Sequence, residues 1–469
     1  MSSGSRISRI LLGILSVAVI LTTLAGAGVK AYLNQLTGNI TTVDVSEQTG
    51  RVIESDAPIV VVDEETGTYE PFNVLLMGSD TRAGKGNGGF GSASKIGGER
   101  SDTSILLHVS SDRKTALAVS IPRDTWITLP RCTSKSGKTV GGYKARFNSA
   151  YDLGGPACTL KAVNEMTGLD VTNFMVVDFG GFKRIVEALG GVEICLAADV
   201  NDSKSGLHLT KGKHVVTGAE ALAFVRVRHG IGDGSDTSRI RRQQAFLSSL
   251  ARQALSSGTL LNPAKLVSVL NAATSSLTAD TQLANLDNLK SLLVSMKGVR
   301  PNDITFVTMP WYPSGDGATI LMNKKKSAPI WDAIKNDTPW PPKGQAGAPI
   351  LKTPPAEIYV NVLNGTATKG KAKKVGKELK KFGYRVMDTS NADAPSSKTI
   401  VQYDPKWDVS ARTLIAATGA EGQAVPKQGQ RMNLIIGDDF TAVEDVKISD
   451  IANDKTANIN TADETFCAE

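Results

Sequence analysis

The sequence predicts an α/β protein with a large layered domain, a second small α/β domain and an N-terminal membrane-spanning helix. Three observations predict it. Strand-like apolar runs alternate with helical patterns through the middle of the chain, a Pro/Gly-rich break near residue 340 precedes a second alternating stretch, and Ile10 to Val29 runs for twenty residues without a charge.

At 469 residues the chain is too long for one ordinary core, so two folded units plus an anchor, linkers and a tail are expected. Hydrophobic residues at 41% and charged residues at 21% supply a sizeable core and no bias toward disorder. The net charge of +7 suits nucleic acid, an anionic membrane surface or a phosphorylated small molecule, and topology narrows the choice.

The apolar run from Ile10 to Val29 is long enough, at ~1.5 Å per helical residue, to cross a hydrocarbon core of ~30 Å. Arg6 and Arg9 precede it and stay cytoplasmic by the positive-inside tendency. The expectation is a cytoplasmic N-terminus at 1–9, a transmembrane helix at 10–32 and an extracytoplasmic remainder in the cell membrane, with no nucleic-acid partner. A cleaved signal peptide is the alternative, since Ala25-Gly26-Ala27 resembles a small-residue cleavage site.

Residues 33–70 lack sustained periodicity and read as a stalk, with a short strand over Pro58 to Val62. The next domain is expected at 71–338. Asn73 to Gly78 is an apolar run delivering a Gly-rich loop, and Ser104 to Val109 and Thr115 to Ile121 repeat the pattern, so a sheet accumulates. Lys161 to Thr167 reads as a short helix. Phe174 to Phe179 and Val192 to Leu196 read as strands separated by helical Gly181 to Leu189, the alternation of a layered α/β domain. Ala221 to Arg228 is strand-like, and a long helix follows Asp236, where Ile240, Leu247, Leu250, Ala251 and Ala254 recur at helical spacing.

Composition shifts to Pro and Gly from Trp340 to Pro349 and again at Pro354-Pro355, so 339–355 reads as a linker. Beyond it, Glu357 to Leu363, Tyr384 to Met387, Thr399 to Tyr403 and Met432 to Ile436 are strand-like and Lys371 to Phe382 is helical, which places a small α/β domain at 356–440. Residues 441–469 hold seven carboxylates against two lysines and are expected to be disordered.

The four cysteines, Cys132, Cys158, Cys195 and Cys467, show no Cys-x-x-Cys spacing, so neither a zinc ribbon nor a redox motif is written here. In an oxidising exterior Cys132 and Cys158 are the expected bridge; the alternative is that all four are small core or tail residues. No P-loop, His-Glu-x-x-His or Gly-x-Ser-x-Gly motif occurs.

The chemistry lies instead in arginines and aspartates at strand ends. Arg226 and Arg228, two apart on the strand-like run, share one face. Arg239, Arg242 and Gln243 follow at helix spacings just after Asp236, a candidate cap, where free backbone amides attract anions. Such donors suit a pyrophosphate, which arginine meets bidentately; the plainer reading is a solvated basic surface. Asp80 ends the first strand of the domain, Asp102 lies within Arg100-Ser-Asp-Thr103, and Arg123-Asp124 follow Ile121. Carboxylates at strand ends beside arginine suggest a magnesium site at Asp80 and Asp102 completed by substrate phosphates. Helix capping is the expected job of Asp124.

These segments resemble the LytR-CpsA-Psr family of cell-wall glycopolymer ligases. The resemblance covers about 72–255 through Leu75-Leu-Met-Gly-Ser-Asp80, Arg100-Ser-Asp-Thr103, Ser120-Ile-Pro-Arg-Asp124, Phe147-Asn-Ser-Ala-Tyr151, Ala188-Leu-Gly-Gly-Val192, Arg226-Val-Arg228 and Asp236-Thr-Ser-Arg-Ile-Arg-Arg-Gln-Gln244. Residues 356–440 look like the small LytR-type domain that accompanies it in actinobacterial members.

The resemblance implies a layered α/β/α domain with a mixed sheet. It also implies transfer of a glycopolymer, arabinogalactan-like, teichoic acid or capsular, from a polyprenyl pyrophosphate carrier to a peptidoglycan hydroxyl, forming a phosphodiester link. Asp80 and Asp102 would hold Mg2+, and Arg100, Arg123, Arg226, Arg228, Arg239 and Gln243 would bind the pyrophosphate, the arginines stabilising its charge during transfer. The carrier's isoprenoid chain needs an apolar slot, sought between sheet and helices near Phe174 to Val186. The Gly-rich insert Ala83 to Gly98 lengthens the path between the two aspartates. A polyprenyl-pyrophosphate phosphatase, also conceivable as a side activity, and a non-catalytic envelope binding or regulatory protein are the competing readings.

Overall fold

A computed structural model describes residues 38–50, 54–63, 65, 67–79, 101–134, 136–227, 236–260, 262–275, 277–315, 317–340, 351, 353–446 and 460–461. The expected membrane helix at 10–32 lies outside them. Among the described residues no helix is long and apolar enough to cross a membrane. The chain divides into two compact units, the first from residues up to Pro301 with Pro313–Leu321, the second from Asn302–Tyr312 and from Met322 onward.

The first unit is built on a sheet whose strands, in chain order, are β1 (Thr41–Thr42), β2 (Phe72–Ser79), β3 (Ser101–Val109), β4 (Ala116–Ile121), β5 (Asn173–Asp178) and, later, β8 (Leu277–Ala279). Between β5 and β8 come β6 (Val192–Leu196) and β7 (Gly212–Val216), which form their own antiparallel pair. The sheet order is β1-β8-β5-β2-β3-β4. Strands β5 and β2 run parallel, whereas β2–β3 and β3–β4 are antiparallel, so the sheet is mixed. Every residue of β4 is buried, which explains why it reads as a continuous apolar run rather than an alternating one.

Its helices are α1 (Ser149–Thr167), α2 (Phe179–Ala188), α3 (Gly218–Arg226), α4 (Asp236–Ala254) and α5 (Pro263–Thr274). α2 packs against α3 and α5, and α4 against β6. Beneath them Val186, Leu196, Phe224 and Phe246 belong to one buried cluster.

Several expectations need correction. The short helix at Lys161 to Thr167 begins earlier: Gly154 (φ −142°) and Gly155 (φ 68°) break α1 into two helical pieces, and the second runs from Pro156 to Thr167. Residues 218–226 form a helix, not a strand: a short apolar run does not fix its own period, and Ala221, Leu222, Ala223 and Phe224 are buried around most of the circumference of α3. Pro58 to Val62 contributes only an isolated bridge from Val62 to Tyr69. Within the expected stalk, Thr41–Thr42 extends the sheet edge beside β8, and Ile40 and Val45 are buried.

The Cys132–Cys158 disulfide is present and joins the segment after β4 to α1. Cys195, on β6, is disulfide-bonded as well.

In the second unit, β9 (Tyr359–Asn364), α6 (Lys371–Lys381), β10 (Arg385–Asn391), β11 (Ile400–Tyr403), α7 (Asp408–Thr418), β12 (Glu421–Ala424) and β13 (Met432–Ile436) follow in order. They form a five-stranded sheet, β10-β9-β13-β11-β12, over a core that includes Val360, Leu379, Leu414 and Leu434. The carbonyl of Thr353, at the end of the expected linker, accepts from the Thr413 hydroxyl at 2.9 Å. The tail expected to be disordered is partly structured: Val443 is buried in this core, Val446 packs on it, and Asn460–Thr461 pairs antiparallel with Ile304–Thr308.

Candidate active site

The mixed pairing brings three strand ends to one edge of the first unit's sheet. Ser79, which ends β2, is in register with Ser101 at the start of β3 and with Asp178 at the end of β5. Residues next to these ends therefore converge, although they are far apart in sequence. Asp102 follows the start of β3, and Asp178 caps α2, accepting from the Gly181 amide at 2.7 Å.

A cavity of about 450 Å³ opens at this edge and runs between the sheet and helices α2, α3 and α4. Its inner wall is apolar: Leu76, Ile105, Met175, Phe182, Val186 and Phe246 are among its residues. The segment singled out from Phe174 to Val186 supplies Met175, Val177, Phe179, Phe182, Ile185 and Val186. Its ionic lining comprises Asp102, Asp178, Asp202, Lys204, Arg226 and Arg239, and Gln243 adds a neutral amide.

Arg226 is the last residue of α3 and its guanidinium lies over the Phe179 ring, 4.5 Å from the centroid. A cation there faces the negative end of the helix as well as the ring's π face. Arg239 and Gln243, four apart on α4, line the same cavity, and Arg239 is buried.

Arg123 reaches the site through Asp102, whose Oδ1 accepts from its Nη1 at 2.6 Å. Its segment is pinned, because the amides of Phe147 and Asn148 donate to the carbonyls of Thr125 and Arg123.

Some site residues do something else. Arg242, grouped with Arg239 by spacing, donates instead to the carbonyl of Val227 and ties down the end of α3. Gln244, next to Gln243, is buried and donates to the Ser120 hydroxyl at 2.9 Å, fixing α4 to β4. Asp124 caps no helix among the described residues; it lies 3.5 Å from both Arg123 and Arg146 in ion pairs. Asp80, Arg100 and Arg228 lie outside the described residues.

Sequence reading missed Arg146, Asp178, Asp202 and Lys204. Asp202 and Lys204 belong to the hairpin joining Val200–Asp202 to Leu207–Leu209, a polar turn sequence that signals only a loop. Asp178 was legible only as a strand end.

The LytR_cpsA_psr family model matches residues 33–336, and the model described as LytR cell envelope-related transcriptional attenuator matches 357–440. The chain is 32% identical to the cell wall biosynthesis protein LcpA of Corynebacterium glutamicum, over 68% of this chain and 67% of that one. It is 28% identical to the polyisoprenyl-teichoic acid–peptidoglycan teichoic acid transferase TagU of Enterococcus faecalis, over 56% of this chain and 76% of that one. Among solved structures, a LytR-Csp2A-Psr enzyme from Actinomyces oris aligns at 22% identity and a TM-score of 0.45, covering 63% of this chain and 96% of that one.

Proposed function

Because the chain belongs to the LytR-CpsA-Psr family, we propose that it is a phosphotransferase that moves a wall glycopolymer from a polyprenyl pyrophosphate carrier to a peptidoglycan hydroxyl. The observation that carries this reading is a single cavity with an apolar wall and a cationic lining, Arg226 and Arg239 sharing it with Leu76, Met175 and Phe246. A ligand with a long hydrocarbon tail and a doubly charged head fits both.

In the reaction the acceptor oxygen attacks the phosphorus nearest the glycan. The P–O–P anhydride bond breaks, polyprenyl phosphate leaves, the hydroxyl proton passes to solvent or base, and a phosphodiester remains. Such transfer is mostly positioning and stabilisation of charge on phosphate oxygens, which Arg123, Arg226 and Arg239 supply together with Arg100, Arg228 and Gln243.

Asp80 and Asp102 are the residues that would hold Mg2+. The Asp102 carboxylate opens onto the cationic cavity, and one or two carboxylates plus phosphate oxygens make an ordinary Mg2+ donor set. When bound, the ion would neutralise charge on the pyrophosphate. The membrane anchor at 10–32 would keep the domain at the surface where the carrier's lipid resides.

The decisive experiment is transfer of a labelled glycan from a polyprenyl pyrophosphate to peptidoglycan by the wild type and by Arg226→Ala and Arg228→Ala. Loss of transfer in both with the fold retained is expected; full activity in both would remove the proposal. Hydrolysis that ignores an added acceptor would point to a phosphatase, and absence of Mg2+ binding and of carrier turnover would point to a binding protein. Carbonate-resistant membrane association tests the anchor.

A further inference from the structure

We propose that the exposed face of α6 in the second unit is a docking surface for an anionic, phosphodiester-linked wall polymer. The helix runs Lys-Ala-Lys-Lys-Val-Gly-Lys-Glu-Leu-Lys-Lys over Lys371–Lys381. Its apolar side is committed, because Ala372, Val375 and Leu379 are buried in the core of the unit. What remains outward is lysine: Lys373, Lys374, Lys377, Lys380 and Lys381 are all exposed. At 100° per residue these five fall within an arc of about 120°, along a helix about 16 Å long.

A solvated helix face ordinarily mixes signs, with acids spaced to meet lysines one turn away. Here Lys373 and Lys377, and Lys377 and Lys381, repel at that spacing, and the one acid, Glu378, is half-buried. Among the described residues none of the five is in an ion pair, whereas Lys398 of the same unit meets Glu421 and Asp439 at 3.5 and 3.6 Å. Lys371 is excluded from the face, since its ammonium donates to the carbonyl of Gly437 and lies near the Phe440 ring. Repulsion built into a short helix is relieved when counter-charge arrives from outside.

The chemistry of the face selects the partner. A helix that lies in a bilayer inserts an apolar side, and this one has none left to insert. Lysine ammoniums on flexible stems are point charges, suited to a linear chain of charges more than to one planar group that arginine would grip. A phosphodiester polymer carries permanent charges along a flexible backbone, and complements the row of ammoniums. The choice of a wall polymer rests on the transferase reading, whereas the binding itself does not.

The test uses the full chain in neutral detergent and measures binding of a soluble poly(glycerol phosphate) chain, a neutral dextran and nanodiscs containing phosphatidylglycerol. Lys373→Gln/Lys377→Gln/Lys380→Gln is compared with the wild type and with the matching triple Arg variant. The expected result is binding of the poly(glycerol phosphate) and not of dextran, weakening about a hundredfold between about 50 and about 200 mM salt, as five released counterions imply. The Gln variant should lose at least tenfold in affinity, the Arg variant should keep it, and all should turn over a carrier bearing a short neutral glycan equally. Equal binding by the Gln variant, or lysine-dependent capture of the nanodiscs in preference to the polymer, would overturn the proposal. Failure of turnover in every variant with binding intact would overturn only the transferase reading.

Discussion

Replacing Phe246 by Ala should separate what the cavity does for the fold from what it does for a lipid. The ring is fully buried and lines the cavity on α4. It packs on Phe182 with centroids 5.2 Å apart and on Phe224 at 6.3 Å, tilted by 38° and 42°. Losing its burial costs about 2 kcal/mol, and each tilted ring pair adds about 0.5–1 kcal/mol. The sum, about 3–4 kcal/mol, falls within the range of ~3–5 kcal/mol for such truncations. Hydrogen exchange reads it by unit: amides of β5 and α2 should lose protection, while those of β9 and β13 keep theirs. The same variant should raise KM for a long-tailed carrier more than for a short-tailed one, since Arg226 and Arg239 are untouched. A destabilisation under about 1 kcal/mol, or equal shifts in KM for both carriers, would refute the reasoning.

Cys132→Ser/Cys158→Ser opens a disulfide spanning 26 residues, and the chain-entropy relation for that loop predicts a loss of about 3.5 kcal/mol; thermal unfolding of the first unit with and without reductant checks it. In the second unit, hydrogen bonds from the hydroxyl and amide of Thr399 hold the Asp439 carboxyl below its ordinary value. The folded state then binds fewer protons than the unfolded chain, so this contribution is full above about pH 3.9 and is lost as pH falls through the lowered value. Acid unfolding of the second unit should therefore be less steep in Asp439→Asn, and an unchanged acid limb would contradict the assignment.

The strands were legible where burial dictates pattern. β2 and β4 are long apolar runs because both faces are largely covered, and Met432–Ile436 was legible to the residue. Helix α4 was legible because Ile240, Leu247 and Leu250 recur at helical spacing, and that register put Arg239 and Gln243 on the cavity. It misled for Arg242, because which side of a helix faces a neighbour depends on where α3 ends, a tertiary fact. α3 was illegible as a helix because five apolar residues before Arg226 fit either period. The hairpin bearing Asp202 and Lys204 was illegible as part of the site, since local turn chemistry says nothing about what a turn covers.

The polarity of the cavity follows from sheet register rather than from any one motif. With β2 parallel to β5 and antiparallel to β3, Ser79, Ser101 and Asp178 meet at one edge. Apolar side chains such as Leu76, Ile105 and Met175 sit a residue pair or more inside it. Loops leave the sheet only at strand ends, so ionic groups gather at the rim while the strand interiors stay apolar. Helices α2 and α4 then cover the interior with Phe182 and Phe246 and bring Arg226 and Arg239 alongside the rim. A water-soluble pyrophosphate would satisfy the arginines and leave the apolar wall in contact with water. A ligand charged at one end and hydrocarbon for the rest satisfies both, which is the physical ground for choosing a lipid-linked substrate over a soluble one.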